Sequence, residues 1–286
     1  MADVMAIVTD RIIAALEEGT IPWHRPWVAP GRGAYNRFSG KKYSLLNQLM
    51  LQHEGEYATY KQWTNLGGQV RKGEKAEIVV FWKWPEDNDQ EKDDSSDLID
   101  EDDKKKKRPV LRYYRVFHIS QVEGVEPLNK REVSFEHNPF DAVDQILISY
   151  VKRENILFDI GTYGEAYYSP GKDLIHIPGI WLYENPEEYY STAFHEAVHS
   201  TGSVGRLCRE GVKNVGFGSE IYSKEELVAE IGSAALMATL GIETEKSFRN
   251  SAAYLQGWLH VLRDDRRMIV IAAGQAEKAV NFILGN

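Results

Sequence analysis

Hydrophobic residues follow a helical period in several parts of the chain. In residues 1–19, apolar and charged side chains alternate with the period of an α-helix, which predicts an amphipathic helix packed on a core. In residues 185–202, Asn185 is a good N-cap, Pro186 suits the first helical position, and an apolar run follows. We expect this second helix to end at Gly202, in the left-handed conformation that glycine adopts readily.

The second of these helices carries the motif His-Glu-x-x-His at residues 195–199. Residues four apart share one face of a helix, so His195 and His199 can direct two imidazoles at one metal ion. Glu196 lies beside them, where a carboxylate can act as general base on a metal-bound water. The alternative is an exposed polar helix face, but the surrounding residues are apolar, and burying these side chains without a metal would be costly.

A helix predicted over residues 223–237 offers the third protein ligand. Glu226 and Glu230 lie four apart on it and share a face. Because two His and one Glu with an open fourth position form a catalytic zinc site, we predict Glu226 as ligand and Glu230 as the carboxylate that holds an imidazole N–H. Glu230 and then Glu225 are the substitutes as ligand. Alternatively, Ser223 and Glu226 form a capping box, and Glu226 turns back to the backbone.

Shorter patterns predict that the remainder of the chain has an α+β fold. Runs rich in β-branched and aromatic residues predict strands, and the two longest of these in the first half are expected to pair. The strands predicted later in the chain form a small sheet before the helix with the His-Glu-x-x-His motif. An edge strand of that sheet can hold an extended peptide by backbone pairing. The predicted elements are short helices at 45–53 and 60–63, strands at 78–84 and 110–120, a helix at 139–152, strands at 158–168 and 172–178, and final helices at 247–263 and 266–284.

Two polar segments predict how the chain is divided. Residues 129–137 are polar and lie between two periodic regions, so we interpret them as a linker between domains at 1–128 and 138–286. Residues 85–109 are charged and almost free of apolar side chains, which predicts a disordered insertion between two paired strands. Its lysine run is expected to be a solvated loop.

Composition narrows the class of protein. The chain has 286 residues, of which 43% are hydrophobic and 11% aromatic, enough to form real cores. Its one cysteine, Cys208, excludes an internal disulfide and the Cys-rich zinc modules, and we expect it to have no role. No segment has the pattern of a signal peptide or a membrane span, so we expect no membrane partner and a cytoplasmic location.

The net charge of −9 is unevenly distributed, and the first part of the chain is basic. Residues 1–84 hold 11 basic and 8 acidic side chains, whereas residues 137–286 hold 13 basic and 20 acidic ones. Aromatic rings among cations suit single-stranded DNA, because unpaired bases stack on rings while cations contact phosphates. We expect about half of these rings to pack in the core instead. The candidate DNA-binding residues are Trp23, Arg25, Trp27, Asn36, Arg37, Lys41, Lys42, Tyr43, Tyr60, Lys61, Trp63, Arg71 and Lys72.

Taken together, these residues resemble the ArdC-type antirestriction proteins. The similarity lies in the tryptophan–proline loop, segments 36–47, 60–63, 68–75 and 115–117, and the region 167–230 with its His-Glu-x-x-His motif. The resemblance implies a small α+β single-stranded-DNA-binding domain followed by a zincin-like metallopeptidase domain. It also implies a plasmid or other mobile element as carrier and protection of incoming DNA from host restriction. The insertion at 85–109 matches no motif of that family.

The resemblance also implies a chemistry for the second domain. Zn²⁺, or another divalent metal such as Mn²⁺, would be held by His195, His199 and Glu226, with Glu196 as catalytic base. A protein of the host restriction machinery is the candidate substrate. An electrophilic helper is expected, and its candidates nearest in sequence are Tyr163, Tyr168 and Tyr222.

Two functions of different classes remain open from the sequence. In one, the protein is a peptidase directed to its substrates by DNA. In the other, it coats single-stranded DNA, and its metal domain is structural or binds a partner without cutting it. Glu196 favours the peptidase, because a purely structural site needs the two His and not the base.

Overall fold

The structure is a computed structural model. It describes residues 3–18, 33–83, 110–128, 139–162, 165–183, 185–212, 220–242, 258–260 and 262–286. Four predicted features lie outside these residues: the loop with Trp23, Arg25 and Trp27, the insertion at 85–109, the linker at 129–137 and most of the helix at 247–263. Among the described helices, none has the length and apolar character needed to cross a membrane.

The described chain combines helices with sheets whose strands pair mostly antiparallel, which confirms the predicted α+β class. The helices are α1 (Val4–Glu17), α2 (Leu45–Met50), α3 (Tyr60–Asn65), α4 (Pro139–Arg153), α5 (Pro186–Thr201), α6 (Glu220–Thr239) and α7 (Met268–Leu284). The strands are β1 (Ala34–Asn36), β2 (Gly55–Ala58), β3 (Gln69–Val70), β4 (Glu77–Lys83), β5 (Val110–His118), β6 (Val122–Glu123), β7 (Leu157–Gly161), β8 (Tyr167–Ser169) and β9 (Leu174–Pro178).

The first sheet has the strand order β1-β2-β5-β4 and presents two different faces. Its two long strands, β4 and β5, pair antiparallel as the sequence predicted. Because side chains alternate across a strand, Val80 and Leu111 point to the face that joins the main core with α1 and α2. Val79, Phe81 and Tyr114 point to the opposite face, where Phe81 is 45% exposed and Tyr114 is 42% exposed.

Two buried amide side chains of α2 pair with strands at both edges of this sheet. Asn47 accepts from the backbone N–H of Val80 at 2.7 Å and donates to its carbonyl at 2.9 Å. Gln48 accepts from the N–H of Ala34 at 2.9 Å and donates to its carbonyl at 2.8 Å. These bonds satisfy backbone groups that an edge strand would otherwise leave unpaired, so α2 is held tightly against the sheet.

β3 and β6 form a separate antiparallel pair, and a three-stranded sheet has the order β7-β9-β8, with β7 parallel and β8 antiparallel to β9. The sequence predicted one strand over 158–168, whereas the structure has two, β7 and β8, which lie on opposite sides of β9. The pattern could not separate them because both are rich in apolar and aromatic residues. α5 packs on β8 and β9 and continues the core into α6 and α7.

α7 connects the two halves of the chain. One continuous core cluster includes Val8 and Ile12 of α1, Leu49 of α2 and Ile269 of α7. In addition, the Glu277 carboxylate accepts from the N–H of Leu45 at 3.1 Å, at the N-terminus of α2, where Ser44 makes no side-chain cap. The predicted domains therefore share a core. The boundary between them stays a prediction, because the linker lies outside the described residues.

Gly202 ends α5 for a different reason from the one that the sequence suggested. Its φ is −76°, in the right-handed region, so the predicted left-handed conformation is wrong. A Cβ at this position would lie 2.4 Å from Val212 Cγ2 and 2.9 Å from Arg209 Nη2. Glycine is needed because the chain folds back closely over the end of α5.

Gly232 permits a close approach of α6 to α5, and this contact can be tested by substitution. A Cβ there would lie 2.9 Å and 3.1 Å from the two methyl carbons of Val198 on α5. We expect Gly232→Ala to destabilise the fold, because overpacking costs about 1–3 kcal/mol and exceeds the gain of about 0.5–1 kcal/mol for replacing a helical glycine. Urea unfolding monitored by circular dichroism measures the difference.

Gly274 of α7 provides the matched control. A Cβ at this position meets no atom within 4 Å. Gly274→Ala should therefore stabilise the protein by about 0.5–1 kcal/mol. Equal effects of the two substitutions would contradict the tight contact between α5 and α6.

Candidate metal centre and nucleic-acid groove

α5 forms as its sequence signals predicted and places both histidines towards α6. Asn185 caps it by accepting from the N–H of Glu188 at 2.9 Å, and Pro186 is its first residue. The apolar residues of α5 are buried in the core and fix the rotation of the helix. His195 and His199 are left partly buried on its other side, with side chains 19% and 13% exposed.

The two imidazoles and Glu226 of α6 converge on one point. His195 Nε2 and His199 Nε2 lie 3.1 Å apart. The Glu226 carboxylate faces both, with Oε2 at 3.5 Å from His195 Nε2 and Oε1 at 3.4 Å from His199 Nε2. Metal–nitrogen bonds of about 2.0–2.1 Å at tetrahedral angles place ligand atoms about 3.3 Å apart. The three donors therefore fit one divalent ion, with ligands on two helices.

The outer nitrogen of each imidazole is also turned to a carboxylate. Glu225 Oε1 lies 3.3 Å from His199 Nδ1, and Glu230 Oε1 lies 3.9 Å from His195 Nδ1. The Glu225 contact is within hydrogen-bond distance and favours the proton on Nδ1 of His199, so that its Nε2 faces the other donors, whereas the Glu230 contact is only an ion-pair distance. The role predicted for Glu230, to hold an imidazole N–H, stays a prediction, because its carboxylate lies near His195 but beyond hydrogen-bond distance. The sequence considered Glu225 only as a substitute ligand, and the structure gives it the shorter contact to a histidine.

Glu225 is itself held by a buried arginine. Arg209 donates to both carboxylate oxygens, with Nε 2.9 Å from Oε2 and Nη2 2.6 Å from Oε1. The same guanidinium donates to Thr201 Oγ1 and to the Val198 carbonyl at the end of α5, each at 2.7 Å. Both side chains of the pair are about 95% buried, with 4% and 5% exposed. Arg209 therefore ties the end of α5 to the carboxylate that orients His199.

The cluster strongly favours positive charge. Burial lowers the pKa of His199, but hydrogen bonds to Glu225 and Glu226 outweigh this effect and raise its pKa to about 10. Burial also opposes charge on His195, whose pKa is nevertheless raised by its contact with Glu226. Burial raises the pKa of Glu226, but the two imidazoles hold that pKa well below its usual range. A cation among these carboxylates is thus favourable, which is a further property of a metal centre.

Glu196 is positioned as an unengaged carboxylate next to the histidines. It is 8% exposed, and no described residue donates a hydrogen bond to it. Of the tyrosines proposed as helpers, Tyr168 donates its hydroxyl to Asp173 at 2.8 Å and is thereby occupied. Tyr163 and the side chain of Tyr222 lie outside what the structure describes. The helper therefore stays unassigned among these three.

The capping-box interpretation of Glu226 is wrong. α6 begins at Glu220, three residues before Ser223, so Ser223 lies inside the helix and not at its N-cap. The sequence missed this first turn because residues 220–222 carry no apolar period of their own. Glu226 is consequently free of a capping role and turns to the histidines.

A groove of about 450 Å³ opens on the exposed face of the first sheet. This volume lies within the range of about 300–1,000 Å³ typical of small-molecule sites. No acidic residue is among the described residues that line it. They are the cations Lys41, Lys42 and Lys83, the rings Tyr43, Phe81, Trp82 and Tyr114, the polar side chains Asn36, Ser39, Thr59 and Gln62, and the apolar Val79 and Val116.

The structure divides the candidate DNA-binding residues that it describes into those that line the groove, those exposed outside it and two that are engaged elsewhere. Asn36, Lys41, Lys42 and Tyr43 line the groove. Tyr60, Lys61, Arg71 and Lys72 are exposed outside it, and Arg71 pairs with Glu74 at 2.7 Å. Phe81, Lys83 and Tyr114 also line the groove, and sequence reasoning missed them because it treated both strands only as sheet formers.

Two of the candidates are corrected by their surroundings. Trp63 is fully buried and donates its indole N–H to the Phe117 carbonyl at 2.9 Å, so its ring cannot stack on a base. Arg37 is bound to the buried Glu56 at 2.6 Å, which makes it a structural ion pair instead of a phosphate contact. In both cases the sequence pattern could not show that a buried partner lies nearby.

Two known protein families match different parts of the chain. Residues 2–117 match the family described as the N-terminal domain of anti-restriction factor ArdC. Residues 148–275 match the zincin-like metallopeptidase family. The first match covers the groove, and the second covers the convergent histidines and Glu226.

Individual relatives support the same conclusion. The ArdC antirestriction protein of plasmid R388 has been solved with Mn(II) bound, and it is 34% identical with a TM-score of 0.75 over 99% of this chain and 98% of that one. The uncharacterised protein y4eC of Sinorhizobium fredii is 32% identical over 98% of this chain and 91% of its own length. The DNA primase TraC of Escherichia coli is 33% identical over 97% of this chain, which spans only 26% of that relative. The chain therefore belongs to the family of ArdC-type antirestriction proteins, with an ArdC N-terminal domain followed by a zincin-like metallopeptidase domain.

Proposed function

We propose that this protein binds single-stranded DNA in the groove of its N-terminal half and hydrolyses peptide bonds at the His195, His199 and Glu226 centre. In this proposal the two activities together protect incoming DNA from host restriction, and a host restriction protein is the substrate. The observation that carries the hydrolytic part is the convergence of two Nε2 atoms and one carboxylate beside the unengaged Glu196. The alternative is a protein that coats single-stranded DNA without hydrolysing peptide bonds. It differs from this proposal in whether protection requires hydrolysis, which can be tested.

The DNA-binding part rests on the character of the groove. Exposed rings of Phe81 and Tyr114 offer surfaces on which unpaired bases can stack. Lys41 and Lys42 can contact phosphates, and the absence of acidic side chains among the described lining residues avoids repulsion. In a duplex the base faces are covered by neighbouring bases, so this surface favours single strands.

The hydrolytic part follows from the donor set. We propose a divalent ion at this centre, with zinc as the expectation from its two imidazoles and one carboxylate. When bound, such an ion supplies Lewis acidity and lowers the pKa of a bound water. In this proposal Glu225, at 3.3 Å, holds the Nδ1 proton of His199 and Glu230, at 3.9 Å, attracts that of His195, so that each imidazole presents Nε2. In this proposal the Glu196 carboxylate accepts a proton from the attacking water and returns it to the leaving nitrogen.

Glu225→Gln tests whether the outer carboxylate positions His199. The change keeps an oxygen near Nδ1 but removes the charge that Arg209 holds in place. We expect metal affinity to fall by about 10- to 100-fold, as for other partners of ligating histidines. Competition with a chromogenic chelator measures affinity, with circular dichroism to establish that the variant is folded. Glu210→Gln, at an exposed position, is the control. Unchanged affinity in folded Glu225→Gln would show that the contact does not orient His199.

Glu196→Gln separates proteolysis from DNA coating. The substitution keeps the size of the side chain and removes the base, so metal content and single-strand affinity should stay unchanged. Peptidase activity should fall by about 100-fold or more. The decisive measurement is the transfer efficiency of restriction-sensitive DNA into a restricting host that supplies each variant. Loss of protection with intact DNA binding supports proteolysis, whereas full protection supports the coating function.

Tyr114→Ala and Tyr113→Ala form a matched pair that tests the groove. Consecutive residues of β5 point to opposite faces, and the two tyrosines are 42% and 38% exposed. Only Tyr114→Ala should weaken binding of an oligo(dT) strand, by about 1–3 kcal/mol if one base stacks there. Fluorescence anisotropy at several salt concentrations measures this loss. Equal losses in both variants, or equal affinity for duplex, would contradict the groove as the single-strand site.

A further inference from the structure

The orientation of two amide side chains in the groove is fixed by backbone contacts. Asn36 Oδ1 accepts from the N–H groups of Phe38 at 3.1 Å and Ser39 at 2.9 Å, so its NH₂ group lies on the other side. That group donates to Tyr43 Oη and to Gln62 Oε1, each at 3.2 Å. Gln62 Oε1 also accepts from the N–H of Thr59 at 3.0 Å, which completes the cap of α3.

This arrangement leaves hydrogen-bond donors in the groove. Asn36 and Thr59 both donate to the side-chain oxygen of Gln62, and no described residue accepts from its Nε2. Tyr43 Oη accepts from Asn36, which leaves its own proton to donate, and no described residue accepts it. Thr59 Oγ1 likewise accepts, from the N–H of Gln62 at 3.2 Å. The lining is thus rich in donors.

We propose that the groove is a subsite for one unstacked nucleobase that presents a carbonyl oxygen to Gln62 and Tyr43. The inference rests on the proposed single-strand binding and adds a preference for bases that carry a carbonyl oxygen. Thymine, cytosine and guanine each carry a carbonyl oxygen, whereas adenine has ring nitrogens as its only base acceptors. A donor-lined site rejects a base that leaves buried donors unpaired. The subsite therefore favours a base with a carbonyl oxygen over a base of the same shape that lacks strong acceptors, while strand selection elsewhere remains independent of sequence.

The rings beside these donors complete the subsite. Phe81 and Tyr114 meet edge to face with centroids 5.9 Å apart, and Phe81 also contacts Tyr43 at 6.2 Å. One wall of the groove is therefore aromatic and lies next to the donor cluster. A base stacked on that wall would have its polar edge near Gln62. Lysines 41 and 42 border the same groove and would face the flanking phosphates.

The test compares two oligonucleotides that differ only in hydrogen bonding. One is oligo(dT), and the other carries 2,4-difluorotoluene, which has the shape of thymine but lacks strong acceptors. With the full-length protein we expect oligo(dT) to bind about 3- to 10-fold more tightly, the size of one or two hydrogen bonds. Oligo(dA) is avoided because its bases stack strongly on one another and must be separated before binding.

Variants assign the preference to the named side chains. Gln62→Glu keeps the oxygen that Thr59 and Asn36 bind but replaces the NH₂ donor by a second oxygen, so the preference for thymine should disappear. Tyr43→Phe should reduce it. Gln69→Glu, an exposed position outside the groove with the same charge change, should leave it intact.

The outcomes separate this inference from the proposed function. If the wild-type protein binds the isostere as tightly as oligo(dT) or more tightly, while Tyr114→Ala still weakens both, stacking is real and the carbonyl contact is wrong. If the wild-type protein binds neither strand, single-strand binding in the groove fails and this subsite fails with it. A thymine preference that survives Gln62→Glu also overturns the assignment.

Discussion

The close contact of α5 with α6 is the constraint on which the rest of the second half depends. Gly232 lets the Val198 side chain approach α6, and this brings a helix with two histidines against a helix with Glu226. The histidine at position 199 follows Val198 directly, so a change in this contact would move a candidate metal ligand. Arg209 reinforces the arrangement, because its guanidinium bonds the end of α5 and the Glu225 carboxylate together. Removing one partner of such a buried ion pair costs about 3–5 kcal/mol.

The two candidate sites are chemically opposite, which supports separate roles. Carboxylates around the histidines favour a cation, whereas lysines and rings in the groove suit an anionic strand with unpaired bases. Their elements are nevertheless joined in one core. α7 packs on α5 and α6, and its Glu277 carboxylate caps α2, the helix that directly follows the groove residues Lys41, Lys42 and Tyr43. The groove and the centre are thus supported by the same helix.

The sequence predicted what depends on local pattern. Helix signals around Asn185 placed α5, the i, i+4 spacing placed both histidines on one face, and the period of α6 predicted Glu226 nearby. It could not predict what depends on distant partners. The burial of Trp63, the pairing of Arg37 with Glu56 and the amide bonds of Asn47 to Val80 all join residues far apart in sequence. The sequence could not predict the groove for the same reason, because only the pairing of β4 with β5 places Phe81 beside Tyr114.

The most direct test of the metal centre is the X-ray absorption spectrum of the zinc-loaded protein. Two imidazole nitrogens and carboxylate or water oxygen at about 2.0–2.1 Å would agree with ligation by His195, His199 and Glu226. His195→Ala should lose one imidazole contribution, whereas His176→Ala, whose ring is held by Asp159 at 2.7 Å, should leave the spectrum unchanged. A spectrum without imidazole, or with a sulfur from Cys208 at about 2.3 Å, would contradict the centre described for this chain.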